Sequence, residues 1–176
     1  MSVTEVLKNG GVAVIATDTI YGIVGQALKP ETVERIYSIK RRTPSKPFII
    51  LVSTIESLES FGVTLTDSLR TKLEQSWPGP VSVIVPCNPS LTYLHRGTNE
   101  LAFRLPAKPE LQAVIAKTGP LVAPSANPEG LEPARDIDEA RDYFGDEVDD
   151  YQAGNVTGNA SRIIRIVDGS IEVIRA

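Results

Sequence analysis

The sequence predicts a single domain of mixed α and β structure, in the α+β class, built on a mostly buried sheet. Three observations predict it. The chain has 176 residues, the size of one folding unit. Short, branched, apolar runs alternate along it with segments of helical periodicity. No internal repeat, low-complexity tract or linker interrupts residues 1–176, so one domain spans them all.

The elements follow in order. Gly11–Ala16 is short, branched and apolar, and reads as a buried strand. Thr17–Gly22 leaves it as a polar turn. Pro30 suits the first position of a helix and Glu31 its first turn. Val33, Ile36, Tyr37 and Lys40 then recur at helical spacing, which carries the helix to about Arg41. Phe48–Val52 is a second buried strand. Ser53 or Thr54 caps a short helix that ends before Gly62. Leu69 and Leu73 make Thr66–Gln75 helical. Val81–Val85 and Leu101–Leu105 read as strands. Pro109–Thr118 is a helix stopped by Gly119. Leu121–Ala123 is a short strand that delivers Pro124–Asn127, and Ile137–Phe144 is helical. Ile163–Val167 and Ile171–Ile174 flank Asp168-Gly169, a strong hairpin signal.

Composition excludes several classes. No apolar run approaches the roughly 20 residues of a membrane span, and the first residues lack a basic region before an apolar one, so no secretory signal is expected. Cys87 and His95 are each alone, which leaves no disulfide and too few soft ligands for zinc. A reducing, cytoplasmic setting is expected. The net charge of −4 is uneven, because residues 129–150 hold ten acids against Arg135 and Arg141. That stretch reads as a solvated helix and loop. Neither a Walker-type phosphate loop, nor a dinucleotide fingerprint, nor a nucleophile elbow is present.

Three stretches carry chemistry. Lys40, Arg41, Arg42 and Lys46 crowd four cations into seven residues. Like charges repel, so an anionic partner explains them, although cations are also favoured at a helix C-terminus. Thr17-Asp18-Thr19 gathers two hydroxyls and a carboxylate behind a strand, as a self-satisfied turn also would. Ser125 and Asn127, between Pro124 and Pro128, lie two apart and face the same way in an extended segment.

Taken together and in order, these stretches resemble the YrdC family, the threonylcarbamoyl-AMP synthases of tRNA modification. The resemblance rests on Thr17–Gly22, Lys40 with Arg42, Lys46-Pro47, Trp77-Pro78-Gly79-Pro80, Phe103-Arg104-Leu105-Pro106, Pro124–Asn127, and Ser161 with Arg175. The chain departs from the family's pattern at Glu100, Pro128-Glu129-Gly130, Glu132-Pro133-Ala134 and Arg162.

The resemblance implies a twisted mixed sheet flanked by helices, with a deep, positively lined cavity. It implies synthesis of L-threonylcarbamoyl-AMP from L-threonine, bicarbonate and ATP, with pyrophosphate leaving. Lys40, Arg42, Lys46, Asn127 and Arg175 would bind ATP, with Lys40 and Arg42 catalytic. Thr19, Arg104, Ser125 and Ser161 would hold threonine, with Arg104 on its carboxylate. Mg²⁺ would accompany the triphosphate, and no dedicated metal site is expected. Partners would be tRNA or double-stranded RNA and the tRNA-modification proteins that receive the adenylate. The alternative is a non-catalytic RNA-binding module, or a degenerate paralogue of the synthase. A basic concavity can hold phosphate backbones, but the aromatic content is 6% and the cations form one cluster.

Overall fold

The computed structural model describes residues 1–176. Nine strands form one sheet: β1 (Ala13–Ala16), β2 (Tyr21–Gln26), β3 (Ile49–Leu51), β4 (Val81–Pro86), β5 (Glu100–Arg104), β6 (Leu121–Val122), β7 (Asp150–Gln152), β8 (Arg162–Val167) and β9 (Ser170–Arg175). Their spatial order is β7-β1-β2-β6-β3-β5-β4-β8-β9. Parallel pairs (β1 with β7, β3 with β5, β4 with β8) mix with antiparallel ones. The helices are α1 (Val3–Lys8), α2 (Pro30–Lys40), α3 (Asp67–Ser76), α4 (Thr92–His95), α5 (Pro109–Thr118) and α6 (Ile137–Phe144).

Both faces of the central sheet are covered, which is why its strands read as continuous apolar runs. Val14 of β1 joins a core with Val33 and Ile36 of α2 and Phe144 of α6. Ala13 and Ile15 of the same strand join another, with Leu7 of α1 and Leu111 and Ile115 of α5. Successive side chains alternate between faces, so one strand feeds two cores.

The expected helices at Pro30, Thr66, Pro109 and Ile137 form. Arg41 closes α2 with a left-handed backbone, φ 50°. The segment capped by Thr54 is a 3₁₀ helix, Ile55–Phe61, stopped by Gly62. Asp168 and Gly169, both at positive φ, turn β8 into β9.

Two strands and two α-helices are not in the sequence reading. The turn after β1 ends at Ile20, and Tyr21–Gln26 is a strand paired antiparallel with β1. Gly22 and Gly25 conceal it, being poor strand formers. At Gly25 a Cβ would lie 2.5 Å from Thr32 Cγ2, so only glycine lets α2 pack this close. Helix α1 carries a full capping box, Ser2 with Glu5. Helix α4 is a single turn that presents no period. Strand β7 ends the acidic stretch. It is no solvated loop there: Asp149 accepts from Val12 N–H at 2.8 Å and pairs with Arg35 at 2.6 Å.

His95 is buried. One ring nitrogen faces the Pro89 carbonyl at 2.9 Å, and Nδ1 accepts from the backbone N–H of Gly97 and Asn99. Cys87 is buried and free, and burial raises its pKa to about 11, which disfavours the nucleophilic thiolate.

Candidate active site

A cleft of about 250 Å³ opens over the middle of the sheet. Its walls come from the β1–β2 turn, the chain entering β3, the end of β5, the segment after β6, and the β8–β9 edge.

The β1–β2 turn is tied to itself. Thr17 Oγ1 donates to the Ile20 carbonyl at 2.6 Å and accepts from Thr19 N–H at 3.1 Å. This aims the Thr19 hydroxyl at Arg104, which ends β5. Arg104 Nη1 donates to Thr19 Oγ1 at 3.1 Å and to Asp18 Oδ1 at 2.7 Å. Ala107 N–H takes the other Asp18 oxygen at 3.1 Å. Each Asp18 oxygen thus has a partner within the protein. Burial, outweighing the attraction of Asp18, pulls the Arg104 pKa down. Arg104 is buried, lines the cleft, and its Nε–H has no partner in the protein.

Opposite stands the β8–β9 edge. Ser161 Oγ lies 2.9 Å from Ser82 Oγ. Arg175 grips Ser161 O through Nε at 2.9 Å and Nη2 at 2.6 Å. Its pKa is lowered by burial. Arg42 completes the cationic lining. It is held only loosely, by the Lys46 and Pro47 carbonyls at 3.3 and 3.5 Å and by the Phe48 ring at 5.5 Å.

Of the sequence-predicted residues, Thr19, Arg42, Arg104, Ser125, Ser161 and Arg175 line the cleft together. Lys40, Lys46 and Asn127 do not. Lys40 is 1% exposed, and its Nζ donates to the Asn127 carbonyl at 2.5 Å and to the Ser125 carbonyl. Burial first, then the Arg42 charge, lowers its pKa to about 7. Lys40 therefore splints the segment after β6 from behind. Ser125 and Asn127 do face one another, but Ser125 Oγ donates to Asn127 Oδ1 at 2.6 Å. Asn127 Nδ2 goes to the Pro128 and Leu131 carbonyls. Lys46 turns outward to Glu129. The crowded cations thus have protein partners, Arg41 with Glu147 included.

The acids that depart from the family's pattern are placed differently from one another. Glu100 pairs with Arg165 at 3.2 Å. Arg135 pairs with Glu139 rather than with Glu129 or Glu132. The sequence signals no role for Ser82, Pro133 or Ala160, because only the meeting of distant segments brings the latter two to the cleft and Ser82 to Ser161. Three arginines, Arg42, Arg104 and Arg175, line the cleft, and Arg104 among them is ion-paired.

No group of three or more His, Cys, Asp or Glu side chains is arranged to hold a metal ion. No helix is long and apolar enough to cross a membrane. The cleft combines the guanidinium groups of Arg42, Arg104 and Arg175 with the hydroxyls of Thr19, Ser125 and Ser161. That set recognises a carboxylate or phosphate and contains no nucleophile–base pair.

The chain is similar to known proteins over nearly its whole length. The Sua5/YciO/YrdC family model, described as "Telomere recombination", matches residues 5–176. The threonylcarbamoyl-AMP synthase of Marinobacter nauticus is 35% identical over 165 residues, covering 91% of this chain and 87% of its own. That of Nitrosococcus oceani is 34% identical, covering 94% and 90%. Among solved structures, P. abyssi Sua5 complexed with L-threonine superposes with a TM-score of 0.89 at 23% identity. It covers 98% of this chain, which spans about half (52%) of that one. E. coli YciO superposes with a TM-score of 0.81 at 21% identity, covering 98% of this chain and 85% of its own. At these identities the two structures speak to the fold alone. With the family model spanning every segment that lines the cleft, this chain belongs to the Sua5/YciO/YrdC family.

Proposed function

We propose that the chain is a nucleotidyltransferase that makes L-threonylcarbamoyl-AMP from L-threonine, bicarbonate and ATP, for threonylcarbamoyladenosine modification of tRNA in the cytoplasm. One observation carries the reading: buried Arg104, bonded to Thr19, lines one cleft together with Arg42, Arg175, Ser125 and Ser161. Arg104 is suited to the threonine carboxylate, with the hydroxyls of Thr19, Ser125 and Ser161 for its polar groups. Arg42 and Arg175 are suited to phosphate oxygens. Lys40 and Asn127 support that wall from behind, and Lys46 stands at its rim.

The reaction needs no protein nucleophile. The threonine amine and bicarbonate form a carbamate with loss of water. A carbamate oxygen then attacks the α-phosphorus, forming one P–O bond while the bond to pyrophosphate breaks. The protein's part is alignment and neutralisation of the leaving charge by its arginines. Both oxygens of Asp18 are engaged, so Mg²⁺ would arrive with ATP as part of the substrate. The adenylate would pass to tRNA-modification proteins.

Mass spectrometry of the protein with ATP, Mg²⁺, bicarbonate and threonine tests this, with serine and no-amino-acid controls. Threonine-dependent adenylate with pyrophosphate is the expected result. Folded protein that yields none refutes the proposal.

A further inference from the structure

The Thr43–Lys46 turn presents three donors at the rim of the cleft, and all three converge on one carboxylate. Thr43 N–H reaches Glu129 Oε2 at 2.6 Å and Thr43 Oγ1 reaches the same oxygen at 2.8 Å. Lys46 Nζ pairs with Oε1. A backbone amide, a hydroxyl and an ammonium around two oxygens make a complete anion cradle.

The cradle adjoins the cleft through Arg42, which lines it and donates to the Lys46 carbonyl at 3.3 Å. The Glu129 backbone is fixed, its N–H on the Lys40 carbonyl at 2.8 Å. Its side chain needs only rotamer changes to leave. Lys46 is 55% and Glu129 26% exposed, so solutes reach both. The cradle holds the carboxyl firmly ionised, with a pKa lowered to about 2 by Lys46 first and then Thr43.

We propose that Glu129 is an affinity-determining residue. Its carboxylate occupies an anion site built by Thr43 and Lys46, and the polyphosphate tail of the nucleotide must displace it. That the anion is a nucleotide's polyphosphate rests on the proposed function. Glu129 thereby lowers nucleotide affinity and closes the Thr43–Lys46 turn over the Pro128–Gly130 turn in the free protein.

Calorimetric titration with inorganic tripolyphosphate tests this on the wild type, Glu129→Gln, Glu129→Ala and the double variant Glu129→Gln/Lys46→Ala. Both Glu129 single variants are expected to bind about 10-fold more tightly than the wild type, or about 1.4 kcal/mol. The double variant is expected to lose that gain. Equal affinity in the wild type and both single variants overturns the inference, as does a gain that survives loss of Lys46 or the absence of binding in every form. The two proposals fail separately. A wild type that makes the adenylate while the Glu129 variants bind no better sinks this inference alone. Tighter tripolyphosphate binding in a chain that makes no adenylate supports the cradle and sinks the reaction.

Discussion

Asp18 and Arg104 form a buried ion pair across 86 positions of sequence, at 2.7 Å, with side chains 10% and 5% exposed. The pair joins the β1–β2 turn to the end of β5, two of the segments that line the cleft.

Breaking this pair from one side strands a buried charge. Asp18→Ala is expected to cost about 3 kcal/mol of unfolding free energy in urea. Asp18→Asn, which keeps an acceptor for Arg104, should cost less. Equal stability of wild type and Asp18→Ala would show that the pair does not hold the turn.

Lys40 gives a pH signature. Its folded pKa of about 7 lies below the ordinary 10.5. Below pH 7 both folded and unfolded chains carry the proton, so no pH dependence arises. Between 7 and 10.5 the unfolded chain keeps a proton that the folded chain has shed, so stability rises with pH. Relative to Lys40→Met, the wild type should gain up to about 1.4 kcal/mol per pH unit in that window. Urea melts from pH 6 to 10 measure it, and a flat difference sinks the assignment.

Arg42 is the cleft cation with the weakest ties to the protein, its bonds to carbonyls being 3.3 and 3.5 Å. Its removal should spare the fold and harm the chemistry. Arg42→Ala is expected to slow pyrophosphate release about 10- to 100-fold, the worth of one charge-assisted hydrogen bond. Its melting temperature should match the wild type. Normal turnover would remove Arg42 from the site.

Gly25→Ala tests the packing that holds α2 against β2. The added methyl would meet Thr32 Cγ2 at 2.5 Å and Ile36 Cδ1 at 3.0 Å. A loss of about 1–3 kcal/mol is expected from overpacking. A variant as stable as the wild type would mean that the helix shifts freely.

Much of this protein was legible in its sequence. Local rules were enough for α2, α3, α5, α6 and the β8–β9 hairpin, because caps, period and turn chemistry act between near neighbours. The ordered motifs also pointed to the family, which the family model matches over residues 5–176, and Thr19, Arg42, Arg104, Ser125, Ser161 and Arg175 line one cleft. Strand β2 was hidden by Gly22 and Gly25, which serve close packing rather than strand propensity. What tertiary structure alone decided is where each charge is spent. Lys40 and Lys46 sit in the same short basic run as Arg42. Yet Lys40 is turned inward to two carbonyls and Lys46 outward to Glu129, while Arg42 is left at the cleft. Those partners lie more than 80 positions away. A buried or crowded cation must find an acceptor, and which acceptor it finds depends on how the chain folds back, not on its neighbours in sequence.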